Sequence, residues 1–234
     1  GIFFVLVFSI AWYMEPLHQD RKVFLLLASY FFYASLDLKY LPLLIAFPLI
    51  NFCLGKGIQI TKDRAVNYEK DLAFYILICG VLCNLMLLGV FKYYDFIISN
   101  LGEFVFHSSP RLLELILPLG ISFYTFQGIS YLVDIYRGRL SGHNSIIDIL
   151  LLISFFPHLV AGPIVRGADF LPQLQRPKSS DQIEAPKAFR LIIFGLFKKV
   201  VVAASLGSLV VDPFFDSPIN FSALDALIGI MGYA

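Results

Sequence analysis

Eight apolar runs, at residues 1–14, 23–36, 40–55, 72–91, 112–135, 146–165, 189–211 and 221–234, leave this chain almost no way to fold in water. Leu, Phe and Ile dominate the runs, and the strict alternation of a half-buried strand is absent, so each reads as helix. In hydrocarbon a helix satisfies its own backbone, which an open strand cannot do. Composition agrees: 58% of residues are hydrophobic and 15% charged, against about 45–50% and about 25% in soluble domains. The mean hydropathy is +0.77. The fold class expected is therefore all-α, a polytopic transmembrane protein. Neither an internal repeat nor a low-complexity tract divides the chain, so 1–234 reads as a single transmembrane domain. Residue 1 is Gly, and both terminal runs fall short of the roughly 20 residues a spanning helix needs, so the domain reads as truncated at both ends.

Basic residues set the expected topology, because short cytoplasmic loops collect Lys and Arg. If the first five runs each cross once, Arg21, Lys22, Lys56, Lys62, Arg64, Lys70, Arg137 and Arg139 fall on one side and Lys39, Lys92 and Arg111 on the other. The polar stretch 166–190 adds five more bases. With run 146–165 crossing, the count is eight against eight; with that run re-entrant, it is thirteen against three. Pro157 and the pair Gly162-Pro163 break its helix, which suits a re-entrant segment buried in protein. Segment 92–106 differs again. Tyr94, Ile97, Ile98 and Leu101 share one helical face, and Lys92, Asp95, Ser99 and Glu103 the other, so an amphipathic helix lying along the interface is expected.

Several functions are excluded or disfavoured. A net charge of +1 gives no field for nucleic acid. No Gly-rich phosphate loop, Cys/His metal spacing or Gly-x-Ser-x-Gly elbow is present. Cys53, Cys79 and Cys83 lie in apolar runs and read as small packing residues. The N-terminus lacks a charged start and a small-residue cleavage site, so no secretory signal peptide is read.

Three stretches carry chemistry. In 118–138, a helical projection places Gly120, Tyr124, Gln127, Tyr131 and Asp134 within an arc of about 80°, opposite Phe126, Ile129, Leu132 and Val133. Such a stripe does not face lipid. It is either a helix–helix interface held by hydrogen bonds or the wall of a hydrated substrate path. Arg137 and Arg139 are available to pair with Asp134. In 155–166, His158 follows a helix-breaking Pro and is a weak candidate for a general base, with Arg166 closing the stretch. In 195–199, Lys198 and Lys199 stand in an apolar run, where each would cost about 2.5–3.5 kcal/mol at a bilayer centre. They either snorkel to phosphates or face a cavity holding an anionic group.

These stretches in this order, with 24–34 (FLLLASYFFYA), Asp37 and 195–203 (GLFKKVVVA), resemble the membrane-bound O-acyltransferase family, in particular its alginate O-acetylation branch. The resemblance covers nearly the whole chain. It implies transfer of an acyl group, often acetyl, to hydroxyls of an exported polysaccharide such as alginate. The acyl donor, acetyl-CoA or another acyl carrier, is then a substrate, and no bound cofactor or metal is expected. The partners implied are membrane lipid, the donor, the polysaccharide acceptor and accessory O-acetylation proteins, in a bacterial inner membrane. Family members carry their presumed catalytic His in a later Trp-His-Gly-like stretch. No such stretch is present here, so the expected catalytic His lies beyond Ala234 and the 234-residue piece alone is expected to be inactive. Two rival readings stay open: a non-catalytic membrane component of a polysaccharide export complex, and a transporter.

Overall fold

The computed structural model describes residues 1–14, 18–64, 69–101, 117–141, 145–160, 162–175, 184–217 and 222–233. Among these residues the regular structure is helical, without a strand. They form two units, Gly1–Pro177 and Lys178–Ala234. Three stretches, Gln19–Arg64, Leu72–Ser99 and Ala185–Asp216, are long and apolar enough to cross a membrane. The chain is an integral membrane protein.

The first unit contains α1 (Ile2–Tyr13), α2 (His18–Asp37), α3 (Leu41–Arg64), α4 (Glu69–Leu101), α5 (Ile121–Tyr136), α6 (Ile146–Ser154), α7 (Phe156–Leu159) and α8 (Gly167–Gln175). Gln19–Arg64 is two passes rather than one. The backbone at Asp37 (φ −154°, ψ 83°) ends α2, and a single 3-10 turn leads into α3. At 20 residues, α2 rises about 30 Å, one hydrocarbon thickness.

The centre of this unit is α5, packed against α3 and α4. Glycines let the helices close: a Cβ at Gly55 of α3 would lie 2.6 Å from the Tyr131 hydroxyl, and one at Gly80 of α4 2.7 Å from Leu132. Asn51 and Asn84 bind each other reciprocally across α3 and α4, with Nδ2 to Oδ1 distances of 3.3 and 3.0 Å. Gly128 of α5 lies against this amide pair. Two buried amides in hydrocarbon must find partners, and a reciprocal pair supplies them.

The segment 145–175 enters and returns on the same side. Lys22, in the first turns of α2, holds Asp148 in the first turn of α6 at 2.6 Å. Its neighbour Arg21 donates from Nη2 to the Leu174 carbonyl near the end of α8, at 3.1 Å. Both ends of the segment are thus fixed to one end of α2. Between them the chain reaches Ser29, whose Oγ accepts the Phe156 N–H at 3.2 Å, about 10 Å further along α2. It then reaches Gly120, where a Cβ would meet the Leu159 carbonyl oxygen at 2.5 Å. Neither α6, with nine residues, nor α7, with four, spans a membrane. Lys62 completes this basic end by donating to the Ile135 and Tyr136 carbonyls at the close of α5. Single cysteines at Ser141 and Gln173, in a cysteine-free background, are expected to stay unlabelled by an impermeant thiol reagent in intact cells. Labelling at Gln173 alone would mean that the segment crosses.

Three expectations are corrected. Residues 92–101 are not a separate interfacial helix but the last turns of α4, which runs unbroken for 33 residues. The rings of Tyr40 and Phe91 meet at 5.7 Å, so this part extends about 15 Å past the level where α3 begins. No helix breaker separates it from the crossing part; residues 102–106 lie outside the described residues. The run 112–135 is not one helix, since α5 starts only at Ile121, after Pro118 and a left-handed Gly120 (φ 75°); 112–116 lie outside the described residues. Cys53, Cys79 and Cys83 are free, as expected, but sit exposed on helix surfaces rather than packed in the core. Their side chains are apolar enough to face lipid.

The second unit has α9 (Ala185–Asp216), which includes wide turns at Lys198–Ala203 and Gly207–Val211, and α10 (Ala223–Tyr233). Ser222 and Asp225 cap α10 reciprocally: the Asp225 carboxylate accepts the Ser222 N–H at 3.0 Å, and Ser222 Oγ accepts the Asp225 N–H.

Candidate functional site

The polar stripe of α5 is buried inside the first unit: Tyr124, Gln127, Tyr131 and Asp134 are 1, 3, 1 and 4% exposed. The face opposite is divided. Leu132 is fully buried against Gly80 of α4, while Phe126 is 46% exposed.

Gln127 occupies the centre of the stripe and ties the hairpin shut. Its Nε2 donates to the Leu152 carbonyl on the entering arm at 2.9 Å and to the Val165 carbonyl on the returning arm at 3.2 Å. Helix breaks at Phe155 and after Leu159 leave carbonyls without intrahelical donors, and a buried carbonyl needs one. Gln127 supplies two N–H groups on one rigid helix. Non-helical backbone is tolerated at membrane depth only inside protein or along a cavity. The entering arm is buried at Leu151–Ser154, while Pro163 and Ile164 of the returning arm are exposed.

His158 sits beside this tie, 7% exposed, with its ring edge-on to Phe155 and Phe170 at 5.4 and 5.7 Å. Its Nε2 lies 3.0 Å from the Leu152 carbonyl and 3.5 Å from Gln127 Nε2. A carbonyl only accepts, so Nε2 carries the proton and donates. That nitrogen is thereby committed to holding the hairpin. Gly162 backs directly onto His158 and donates its N–H to the His158 carbonyl.

The remaining candidates divide. Asp134 Oδ2 is buried without a partner among the described residues, while Arg137 and Arg139 are exposed. The Asp134 carbonyl accepts the Arg139 and Leu140 N–H groups, so backbone bonds close this end of α5. Arg166 is exposed, and its carbonyl starts α8 by accepting from Asp169 and Phe170. Lys198 and Lys199 belong to the second unit, both exposed. Lys198 borders an open groove of about 830 Å³ lined by Phe194, Phe197, Leu206, Val211 and Tyr233. Within the first unit the structure thus brings together Gln127 and His158, places Tyr124, Tyr131 and Asp134 along the helix of Gln127, and leaves Arg166 exposed. No cluster of metal-binding side chains occurs among the described residues.

Lys22, Asp148, Asn51 and Asn84 escaped the sequence reading as structural anchors. Each is a polar residue inside or beside an apolar run, which in a membrane protein is itself a signal of a buried partner.

No family model and no solved structure matches the chain. Curated relatives do. It is 36% identical over 239 residues to the peptidoglycan O-acetyltransferase of Helicobacter pylori, covering 91% of this chain and 44% of that protein. It is 34% identical over 233 residues to the "probable alginate O-acetylase AlgI" of Pseudomonas aeruginosa, covering 98% of this chain and 43% of that protein. A protein of the same name in Azotobacter vinelandii is 33% identical over 206 residues. The chain therefore spans less than half the length of these relatives.

Proposed function

Because the chain belongs to the membrane-bound O-acyltransferase family, we propose that the protein containing it transfers acetyl groups to hydroxyls of a cell-surface glycan. The structural observation that carries this reading is the re-entrant hairpin, anchored at the basic end by Lys22 and Arg21 and tied in the middle by Gln127. It brings irregular backbone deep into the bundle from the side where Lys and Arg collect, which is the cytoplasmic side of a bacterial inner membrane by the positive-inside rule. An acyl donor made in the cytoplasm, acetyl-CoA or another acyl carrier, approaches from that end. The glycan, alginate or peptidoglycan by the names of the relatives, meets it from the opposite end, with accessory O-acetylation proteins as further partners. The stripe on α5 runs between the two ends.

In the transfer, the acceptor oxygen attacks the acyl carbonyl, a base takes its proton, and the donor's leaving group departs protonated. A base near neutral pKa within hydrogen-bond reach serves this step best, and His meets that need. The Nε2 bond to Leu152 leaves Nδ1 of His158 able to accept a proton. The resemblance, however, carries the presumed catalytic histidine in a Trp-His-Gly-like stretch, so we place the base there. The test uses the full-length protein and an assay for glycan acetylation. His158→Gln is expected to retain most of the activity, while Ala at the Trp-His-Gly-like histidine abolishes it. Abolition by His158→Gln at normal protein levels, with the other histidine dispensable, overturns the assignment. A full-length protein that acetylates neither polymer, in the presence of its accessory proteins, overturns the function.

A further inference from the structure

The two arms of the hairpin are held very unequally. The entering arm is fixed by the Lys22–Asp148 pair at 2.6 Å and by Ser29 Oγ on the Phe156 N–H at 3.2 Å. Its Leu152 carbonyl has two donors, Gln127 Nε2 at 2.9 Å and His158 Nε2 at 3.0 Å. The returning arm is exposed at Pro163, Ile164 and Arg166, with Val165 half-buried. Among the described residues, one side-chain bond reaches this arm from the rest of the unit, Gln127 Nε2 to the Val165 carbonyl at 3.2 Å. The start of α8 does not use that carbonyl, since Asp169 and Phe170 donate to Arg166 instead.

Glycines bracket the loose stretch. Gly162 donates to the His158 carbonyl at 3.2 Å, and a Cβ on it would collide with the His158 Cα. Gly167 is buried, and a Cβ there would lie 3.1 Å from Leu140 and 3.2 Å from Leu152. The two ends are close-packed and the residues between them are not, which is the build of a short flap. Pro163 has no N–H, so lifting the flap leaves no donor unpaired there. Gln127 itself stands on a rigid helix, nine residues before Tyr136 at the end of α5. That is about 13 Å from the basic end of the unit. What it holds on the flap is a neutral carbonyl oxygen in irregular backbone. An acyl thioester presents the same group.

We propose that the Gln127 N–H now holding Val165 is the donor that binds the carbonyl oxygen of the acyl thioester, and that Gly162–Arg166 is a flap that swings aside to admit it. This rests on the acetyltransferase reading for the identity of the ligand. The exchange replaces one neutral carbonyl by another on the same donor, so it costs little in hydrogen bonding. Leu152 keeps its His158 donor throughout, so the entering arm stays in place. In the transfer, the acceptor oxygen bonds to the acyl carbon and its proton passes to the base. The carbon–sulfur bond breaks, and the thiolate leaves with a proton. Negative charge builds on the carbonyl oxygen meanwhile. The Gln127 N–H stabilises it and exchanges neither proton nor electrons.

Binding and chemistry are measured separately. S-acetylpantetheine with an isotopically labelled carbonyl is added to the full-length protein without acceptor, and the labelled band is followed by infrared difference spectroscopy. The band is expected at lower wavenumber with the wild type than in detergent alone, and unshifted with Gln127→Met. In the acetylation assay Gln127→Met is expected to lower kcat about a hundredfold, the effect of losing one oxyanion donor, with the donor KM little changed. Gln127→Glu covers the case in which Gln127→Met does not fold. A protonated Glu keeps one O–H donor and an ionised one keeps none. The kcat of Gln127→Glu relative to wild type is therefore expected to rise as pH falls. An unshifted band with the wild type, a shift kept by Gln127→Met, or a Gln127→Glu ratio that is flat with pH overturns the role of Gln127. A wild-type shift without acetylation of either glycan overturns the acetyltransferase reading instead.

Discussion

Lys22→Ala is expected to be among the most damaging single substitutions in the first unit. The ion pair it breaks is short, 2.6 Å, and its side chains are 10 and 4% exposed. Removing one partner of a buried pair leaves a charge in low dielectric, which costs about 3–5 kcal/mol. Asp148 caps nothing else in its place: its own N–H goes to the Ser145 hydroxyl at 3.3 Å, the first cap of α6. The entering arm then loses its anchor while Arg21 still holds the returning arm. The double variant Lys22→Met/Asp148→Leu is expected to recover most of the loss, since a buried pair is often replaceable by apolar residues of similar volume. Thermal unfolding in detergent measures both. A Lys22→Ala midpoint close to wild type would show that the pair does not hold the arm.

This ion pair also shows how far the sequence could be read. The helices follow from runs of Leu, Phe and Ile, because in hydrocarbon the backbone leaves few alternatives. The hairpin was legible from Pro157, Gly162-Pro163 and the excess of bases on one side, both of which are local facts. What anchors it was not. Lys22 and Asp148 are 126 positions apart, and no spacing rule joins them. Gln127 read correctly as a residue that turns away from lipid. Its partners, however, are backbone carbonyls at Leu152 and Val165, and carbonyls have no sequence signature. The amphipathic stretch 92–101 misled for a different reason. Periodicity reports which side of a helix is wet, and says nothing about whether that helix lies flat or continues an upright one. Without Pro or Gly between Phe91 and Leu101, the chain simply extends α4.

Gly120→Ala is expected to be comparably disruptive, and for backbone reasons. Gly120 has φ 75°, in the left-handed region where a Cβ costs about 1–2 kcal/mol. The added Cβ also falls 2.5 Å from the Leu159 carbonyl oxygen, with the Val160 Cα at 3.8 Å. The offending atom is backbone, so no side-chain rotation relieves it, and the hairpin tip must shift away from α5. Overpacking of this kind adds about 1–3 kcal/mol. Together the two terms predict a loss of roughly 2–5 kcal/mol. The shift carries function with it, because moving the tip strains the bonds from Gln127 to both arms, two turns further along α5. Gly89→Ala in α4 is the control, since a Cβ there meets nothing within 4 Å. It should leave stability unchanged or raise it by up to about 1 kcal/mol, the difference between Gly and Ala inside a helix. Thermal midpoints of the two variants, measured in the same detergent, separate the explanations. A large fall for Gly120→Ala with none for Gly89→Ala places the hairpin tip on the start of α5. Equal, small effects would mean that the tip does not pack there.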